Sequence, residues 1–266
     1  MREFEFIPDG QKDCSVKAWI HYHNGSARIV QKQYPAIVIC LGGAYMNVSD
    51  REAEPVAVAF FAAGFNTYIL NYSVKEQATE LRPLCQLAAT ILQIRKNAES
   101  WYTLPDKIAV CSFSAGGHLA ASMGVLWNNA KFIETFKNTE NVRPNAMISG
   151  YPVITSDETA HVDSIECVSG AKEGSTQYQW FGLDRHVDKN TPPTFLWHTS
   201  EDKVVSVENS LRMASALSAA EVPFELHVFP KGPHGMSVCS EDVGTPSEYN
   251  VRWIEWSIKW LKELWK

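Results

Sequence analysis

Apolar and polar positions along the chain form strand patterns that alternate with helix patterns. Residues 35–41 form a continuous apolar run, which predicts a strand covered on both faces. Further strands are predicted at residues 66–72, 106–111, 145–150, 193–198 and 223–229. Helices are predicted at residues 51–64, 81–100, 119–126, 204–220 and 247–265. Strands that alternate with helices favour an α/β fold with a mainly parallel sheet and helices on both faces.

Two parts of the chain depart from this alternation. Residues 3–7 and 16–23 alternate polar and apolar positions, as half-buried antiparallel strands do. Residues 155–190 have weak periodicity and predict a long, partly helical excursion from the sheet that forms a small cap or lid. Because no repeat, low-complexity tract or linker interrupts the pattern, we expect a single domain over residues 1–266 that contains this cap.

The predicted C-terminal helix carries a stripe of large apolar side chains. Trp253, Trp256 and Trp260 recur at steps of three and four residues, together with Ile254 and Ile258. Such a stripe can bind a cofactor or a partner, but it is more typical of a helix that packs on a sheet. We therefore expect these tryptophans in the core.

A strand, a sharp turn and a helix are predicted around residues 108–118, with Ser114 at the tip of the turn. The stretch 112–116 has the sequence Ser-Phe-Ser-Ala-Gly, which nearly matches the G-x-S-x-G nucleophile elbow. A serine hydroxyl is a weak nucleophile and must be held where a base and a carbonyl can reach it. Ser114 is therefore the predicted nucleophile, ahead of Ser112. The alternative is a glycine-rich turn without a chemical role.

Two further strands are predicted to end in loops that complete a serine site. Asp202 follows the strand 193–198, and His234 follows the strand 223–229. The carboxyl ends of parallel strands gather functional groups at one edge of a sheet. His234 would take and return the serine proton, and Asp202 would orient the imidazole. As alternatives, Asp202 only caps the next helix, Glu201 is the acid, or His234 is an ordinary turn residue.

Backbone N–H groups at two turns are candidates for an oxyanion hole. Ala115 opens the helix behind the predicted nucleophile, and Gly43 and Ala44 follow the strand 35–41. Such groups can donate to the negative oxygen that develops during acyl transfer. The alternative for Gly42 and Gly43 is a simple tight turn.

The remaining histidines that the pattern singles out are interpreted as structural. His118 lies four residues after the predicted nucleophile and is expected to pack or to hydrogen-bond nearby. His198 ends a strand and is expected to be buried with satisfied nitrogens. His21 and His23 share one strand face and could hold a metal ion, but the pattern offers no third ligand. A solvated strand face is expected there, and no metal site is predicted.

Composition limits the partners that the chain is expected to have. Its 266 residues, 45% of them hydrophobic, are enough to bury the core of one domain. The net charge of −6 argues against nucleic acid or an anionic membrane surface as the main partner. The six cysteines form no C-x-x-C pair, and the sequence has neither a signal-peptide pattern nor a membrane span, so a cytoplasmic location is expected.

These motifs resemble those of α/β-hydrolase-fold esterases of the hormone-sensitive-lipase-like and acetylxylan-esterase-like group, including the set labelled BD-FAE. The resemblance extends from about residue 15 to the C-terminus and is carried by residues 41–45, 50–55, 111–120, 191–198 and 232–235. It implies an α/β-hydrolase fold and a cofactor-free serine carboxylesterase, with acetylated sugars or xylan fragments as a common substrate class. Leu41 stands where many relatives have the histidine of H-G-G-G, and Ala44 replaces the last glycine. Both changes keep the backbone donors but bear on the acyl preference.

The leading functional hypothesis is hydrolysis of short acyl esters, most of all acetyl groups on a sugar. The expected partner is thus a small ester, and a homodimer is compatible with the sequence. Candidates for a sugar-stacking wall are the aromatic residues Tyr45, Tyr151, Trp180 and Phe181. Packing in the core is an equal alternative for each of these rings.

Three rival functions stay open. The first is a small-ester hydrolase of broad specificity. The second is a serine peptidase on the same scaffold, although such enzymes usually carry a large extra domain for which this chain has no room. The third is a binding module without catalysis, against which the complete Ser, Asp and His set argues. The acidic composition and the lack of an apolar lid argue against a lipase that acts on lipid surfaces.

Overall fold

One eight-stranded sheet organises the structure, a computed structural model that describes residues 1–22, 33–137, 139 and 141–266. The strands are, in chain order, β1 (Arg2–Phe6), β2 (Ser15–Ile20), β3 (Tyr34–Cys40), β4 (Asn66–Asn71), β5 (Thr103–Phe113), β6 (Ala146–Gly150), β7 (Thr194–Thr199) and β8 (Phe224–Phe229). Their order across the sheet is β1-β2-β4-β3-β5-β6-β7-β8. β2 pairs antiparallel with β1 and β4, and all other pairs are parallel. The predicted mainly parallel sheet is confirmed.

Helices cover both faces of this sheet. They are α1 (Glu54–Ala62), α2 (Arg82–Lys96), α3 (Ser114–Leu126), α4 (Ala130–Phe136), α5 (Val162–Ser169), α6 (Thr176–Trp180), α7 (Glu208–Ala219) and α8 (Arg252–Leu264). Short 3-10 turns lie at Asp50–Glu52, Lys75–Ala78 and Leu183–His186. Within the described ranges, no helix is long and apolar enough to cross a membrane.

Each face of the sheet has its own apolar core. Side chains of α2, α3 and α7 bury one face, and side chains of α1 and α8 bury the other. Trp253 of α8 is fully buried and stacks on Trp197 of β7 at 5.0 Å between ring centroids. Trp256 packs against Phe229, and Trp260 against Phe195. The tryptophan stripe is therefore part of the core, as expected from its spacing.

The segment 155–190 is largely packed rather than loose. It contains α5, α6 and a 3-10 turn, and its side chains Ile165, Val168 and Tyr178 join the core on the α3 face. Gly170 ends α5 in the left-handed region at φ 64°, a usual way for a helix to stop.

Differences from the sequence pattern lie mainly at element ends. The helix expected from residue 204 begins at Glu208, because residues 202–205 form a turn around Asp202. Helix α4 was not predicted from the sequence. The ring of His21 stacks between Tyr34 and Phe61 at 4.1 and 4.0 Å, and His23 lies outside the described residues. His21 is thus a packed residue and not part of a solvated face.

Candidate active site

The site lies where the order of strands reverses along the sheet. After β3 the chain adds β4 on one side and then returns to add β5 on the other side. The loops that leave β3 and β5 therefore stand next to each other, which creates a crevice at the carboxyl edge. A methyl group on Gly42, just after β3, would lie 3.1 Å from the Cβ of Ser114, just after β5.

Ser114 stands on a strained turn between β5 and α3. Its φ of 52° is in the left-handed region, which costs energy for a residue other than glycine. Close packing forces small residues behind it, since a Cβ on Gly116 would lie 2.2 Å from the Cys40 carbonyl oxygen. Ser112 points into the sheet, and its hydroxyl contacts Ser149 Oγ at 3.0 Å. Ser114 is thus the serine that this turn presents to the crevice.

Three predicted side chains meet in one chain of hydrogen bonds. The Ser114 hydroxyl lies 2.9 Å from His234 Nε2, and His234 Nδ1 lies 2.6 Å from Asp202 Oδ2. A carboxylate can only accept, so Nδ1–H donates to Asp202 and Nε2 is left to accept from the Ser114 hydroxyl. The His234 side chain is 16% exposed, whereas the Asp202 side chain is fully buried. This is the geometry in which a histidine can remove a serine proton.

The two carboxylate oxygens of Asp202 have different hydrogen-bond partners. Oδ1 accepts from the N–H groups of Val204 and Val205 at 2.9 and 3.0 Å, so the residue does cap the turn that follows. Oδ2 contacts His234 and lies 3.4 Å from Nε2 of His198. Burial would raise the pKa of Asp202, but hydrogen bonds from His198 and His234 outweigh it and hold the pKa well below its usual value. The carboxylate therefore stays charged.

The competing acid is oriented elsewhere. Glu201 is exposed, and its Oε2 accepts a 3.3 Å hydrogen bond from the N–H of Gly232. Asp202, the neighbour of Glu201, is the acid that contacts His234.

The loop after β3 holds free backbone donors next to Ser114. Gly43 has φ of 122°, and a Cβ there would lie 2.3 Å from Asn47, so this position requires glycine. Ala44 and Tyr45 follow with φ of 57° and 59°. In the described part of the chain, the N–H groups of Gly43 and Ala44 donate to no protein oxygen. Ala115 lies in the first turn of α3, where N–H groups lack helical acceptors.

The BD-FAE family profile matches residues 26–217, a range that includes the serine turn and Asp202 but ends before His234. This chain belongs to the BD-FAE family. Its sheet and its structural neighbours give it the α/β-hydrolase fold.

Three similar proteins show how this BD-FAE chain relates to others. Endo-1,4-beta-xylanase B from Butyrivibrio fibrisolvens is 34% identical over 77% of this chain and 33% of its own length. Acetylxylan esterase from Xylanibacter ruminicola is 26% identical over 86% of this chain and 45% of its own length. An acetyl ester-xyloside bifunctional hydrolase from Caldicellulosiruptor lactoaceticus has a TM-score of 0.81 at 32% identity, with 94% of this chain and 88% of that chain covered. The chain thus spans less than half the length of the two curated relatives.

His118 and His198 are buried and satisfied, as expected. His118 Nδ1 lies 2.9 Å from the Tyr45 hydroxyl, and its Nε2 lies 3.1 Å from the Phe181 carbonyl oxygen. His198 Nδ1 lies 2.8 Å from the Ser210 hydroxyl, and both rings have 0% exposure. Among the described hydrogen bonds, neither ring pairs with Ser114.

The predicted sugar-stacking wall needs correction. Tyr45 and Tyr151 are each 1% exposed and Phe181 is 3% exposed, so none of these rings presents a face to a ligand. Trp180 is half-buried, and the ammonium group of Lys131 lies 4.3 Å from the centre of its ring. The sequence makes these rings candidates for a wall, but it does not distinguish a wall from a core.

A groove of about 660 Å³ runs from the free donors toward α5. It starts at Ala44 and Met46 and passes between the turn Lys75–Ala78 and α5. Most of its long side chains are charged, namely Lys75, Glu76, Asp163, Glu166 and Lys172. Apolar surface, from residues such as Met46 and Ala171, makes up the larger part of the remaining lining.

One buried acid at the site was missed from the sequence. Glu52 is 2% exposed and accepts hydrogen bonds from the Gly42 N–H and the Tyr151 hydroxyl. Burial raises the pKa of this carboxyl, and the two hydrogen bonds partly offset the rise. The stretch 50–55 was part of the family resemblance, but an acid a few residues before Pro55 is equally typical of a helix start. Within the described ranges, no cluster of His, Cys, Asp and Glu could hold a metal ion.

Proposed function

We propose that this chain is a serine carboxylesterase that cleaves short acyl esters through an acyl-enzyme on Ser114. The observation that carries the proposal is the continuous hydrogen-bond chain from Ser114 through His234 to the buried Asp202. The family membership and the esterase names of similar proteins support it.

The first half of the reaction forms the acyl-enzyme. Ser114 Oγ attacks the acyl carbon while its proton moves to Nε2 of His234. The N–H groups of Gly43, Ala44 and Ala115 stabilise the negative carbonyl oxygen. Asp202 stabilises the imidazolium, and His234 then returns the proton to the leaving alcohol as the ester bond breaks.

The second half releases the acid. Water gives a proton to His234 and attacks the acyl carbon, and the same N–H groups bind the second oxyanion. The Ser114 oxygen leaves with the proton from His234, and the free acid departs. Each group is used twice, and no cofactor takes part in any step.

We propose acetyl groups on sugars or xylo-oligosaccharides as the substrate class. The acetyl-ester and xylan names of similar proteins support this class. Charged side chains along the groove beside Ala44 offer hydrogen-bond partners for sugar hydroxyls. A broad hydrolase of small esters is the alternative, and it would cleave any accessible acetate equally well.

The test compares two substrates and two variants. We expect wild-type protein to release acetate from an acetylated xylo-oligosaccharide and to cleave p-nitrophenyl acetate, with the sugar saturating at the lower concentration. Ser114→Ala should lose at least 1,000-fold in kcat, roughly the contribution of a nucleophile to such sites. Circular dichroism and melting temperature control for folding of the variant.

The outcomes test the serine mechanism and the sugar substrate separately. If only the aryl ester is cleaved, the serine mechanism stands and the sugar assignment fails. If Ser114→Ala retains wild-type kcat, the serine mechanism fails. Turnover of an aminoacyl-arylamide in place of both esters would favour the peptidase rival.

A further inference from the structure

The peptide group between Leu41 and Gly42 is held at both of its polar atoms. Its carbonyl oxygen accepts from the Tyr72 hydroxyl at 2.5 Å, and its N–H donates to Oε2 of Glu52 at 2.6 Å. Tyr72 and Glu52 are 3% and 2% exposed, so water does not compete for either contact. This peptide immediately precedes the free donors of Gly43. Holding the Leu41–Gly42 peptide in place therefore restricts the positions of the N–H groups of Gly43 and Ala44.

The other oxygen of Glu52 connects to the loop that carries the base. Oε1 accepts from the Tyr151 hydroxyl at 2.8 Å, and the same hydroxyl accepts from the Ser237 N–H at 2.9 Å. The Tyr151 ring also packs edge-on against the His234 ring, with 4.9 Å between their centroids. Through Tyr151, the carboxyl group of Glu52 thus contacts the histidine loop as well as the loop after β3.

The donors around Glu52 match an ionised carboxylate. Gly42 N–H and Tyr151 O–H can each give one proton to one carboxylate oxygen, and the Tyr151 oxygen uses a lone pair for Ser237. A buried charge of this kind has a high cost unless its hydrogen bonds are made. Here the hydrogen bonds are made, and they join the loop after β3 to Tyr151 beside the base.

We propose that Glu52 is a positioning residue that sets the oxyanion donors and His234 relative to each other. The inference rests on the esterase function proposed above and extends it to a residue that touches no reacting atom. The oxyanion exists only after Ser114 has attacked, so a shift of the donors weakens the transition state more than substrate binding. Loss of Glu52 therefore lowers kcat and leaves KM nearly unchanged.

The experiment uses Glu52→Gln, Tyr151→Phe and the double variant, with p-nitrophenyl acetate as substrate. Glutamine has the same size and its oxygen can still accept from Gly42, so the fold is preserved. Its NH₂ group is a donor, however, so the Tyr151 hydroxyl loses the oxygen to which it donates. A fluorophosphonate counts competent Ser114 sites, and kcat is expressed per labelled site. We expect Glu52→Gln to lower kcat about tenfold with KM within about twofold of wild type.

Two comparisons show whether the effect comes from positioning. Tyr151→Phe should reduce kcat in the same way, and the double variant should be about as slow as the slower single variant, because each change removes the hydrogen bond that the Tyr151 hydroxyl donates to Glu52. Glu54→Gln is the matched control, since Glu54 is exposed two residues away and pairs with Lys17. It should retain wild-type kcat.

The possible results are distinguishable. An unchanged kcat per site in Glu52→Gln, or effects of the two changes that multiply, would overturn the positioning role while wild-type activity keeps the esterase proposal. A wild type that fails to cleave any ester would overturn both proposals.

Discussion

His118, within α3, and His234, next to the first residue of α3, both use their two ring nitrogens but have different partners. His234 lies between the Asp202 carboxylate and the hydroxyl of the predicted nucleophile. His118 lies between the Tyr45 hydroxyl and a backbone carbonyl of the segment 155–190. Each ring bonds through both nitrogens and connects distant parts of the chain.

The difference lies in charge and in access to solvent. A carboxylate stabilises a positive imidazolium, whereas a phenol does not, and His118 has 0% exposure. Burial lowers the pKa of His118 to about 4, and its hydrogen bond to Phe181 only partly opposes the change. His118 therefore stays neutral near pH 7, while His234 has the partner that a proton acceptor needs. The partners of a histidine, more than its presence near a serine, decide what it can do.

The substitution Asp202→Asn is the strongest test of whether its carboxylate partner makes His234 different from His118. The side-chain oxygen would still accept from Val204 and Val205, but the amide NH₂ would face His234 Nδ1. Nδ1 would then have to accept, which places the ring proton on Nε2 facing Ser114. We expect kcat for p-nitrophenyl acetate to fall about 1,000- to 10,000-fold with the fold preserved.

Glu54→Gln gives the background for this measurement, because it also removes one acidic charge. Melting temperature separates loss of chemistry from loss of structure. If kcat of Asp202→Asn fell less than tenfold, the acid role of Asp202 would be untenable.

The low pKa of the buried His118 leads us to expect that stability depends on pH. Between pH 6.5, the usual pKa of histidine, and pH 4, an unfolded His118 binds a proton and the folded one does not. The unfolded state then binds more protons, so stability falls as the pH is lowered through this window. The contribution of His118 amounts to about 2 kcal/mol between pH 7 and pH 5.

Urea unfolding at pH 7 and pH 5 measures this change. His118→Gln removes the titration while its amide group can accept from Tyr45 and donate to the Phe181 carbonyl. We expect the loss of unfolding free energy between the two pH values to be smaller in this variant by about 2 kcal/mol. Equal losses in both proteins would mean that His118 does not resist protonation.

The sequence was most informative where topology brings distant residues together. Ser114, Asp202 and His234 each follow a predicted strand, and parallel strands deliver their carboxyl ends to one edge. Their proximity could therefore be expected without knowing any loop in detail. The tryptophan stripe of α8 was predictable for a similar reason, because its spacing requires a packed face.

The sequence was least informative where a role depends on burial and orientation. Tyr45, Tyr151 and Phe181 were candidates for a sugar-stacking wall, but only packing shows that their rings are buried in the core. Glu52 appears as an ordinary acid of a helix start, since its two partners lie 10 and 99 residues away. Neither propensity nor periodicity encodes contacts of that separation.

The smallest expected effect comes from the acid next to Asp202. Glu201→Gln removes a charge one residue from the proposed acid, but its carboxylate is exposed and contacts only the Gly232 N–H among the described hydrogen bonds, at 3.3 Å. The glutamine oxygen can keep that contact, and an exposed charge is largely screened by water. We therefore expect kcat and KM for p-nitrophenyl acetate within about twofold of wild type, measured beside Asp202→Asn in one assay. A loss in Glu201→Gln as large as that in Asp202→Asn would contradict the assignment of Asp202 as the acid that supports His234. Glu201 would then have an equal claim to that role.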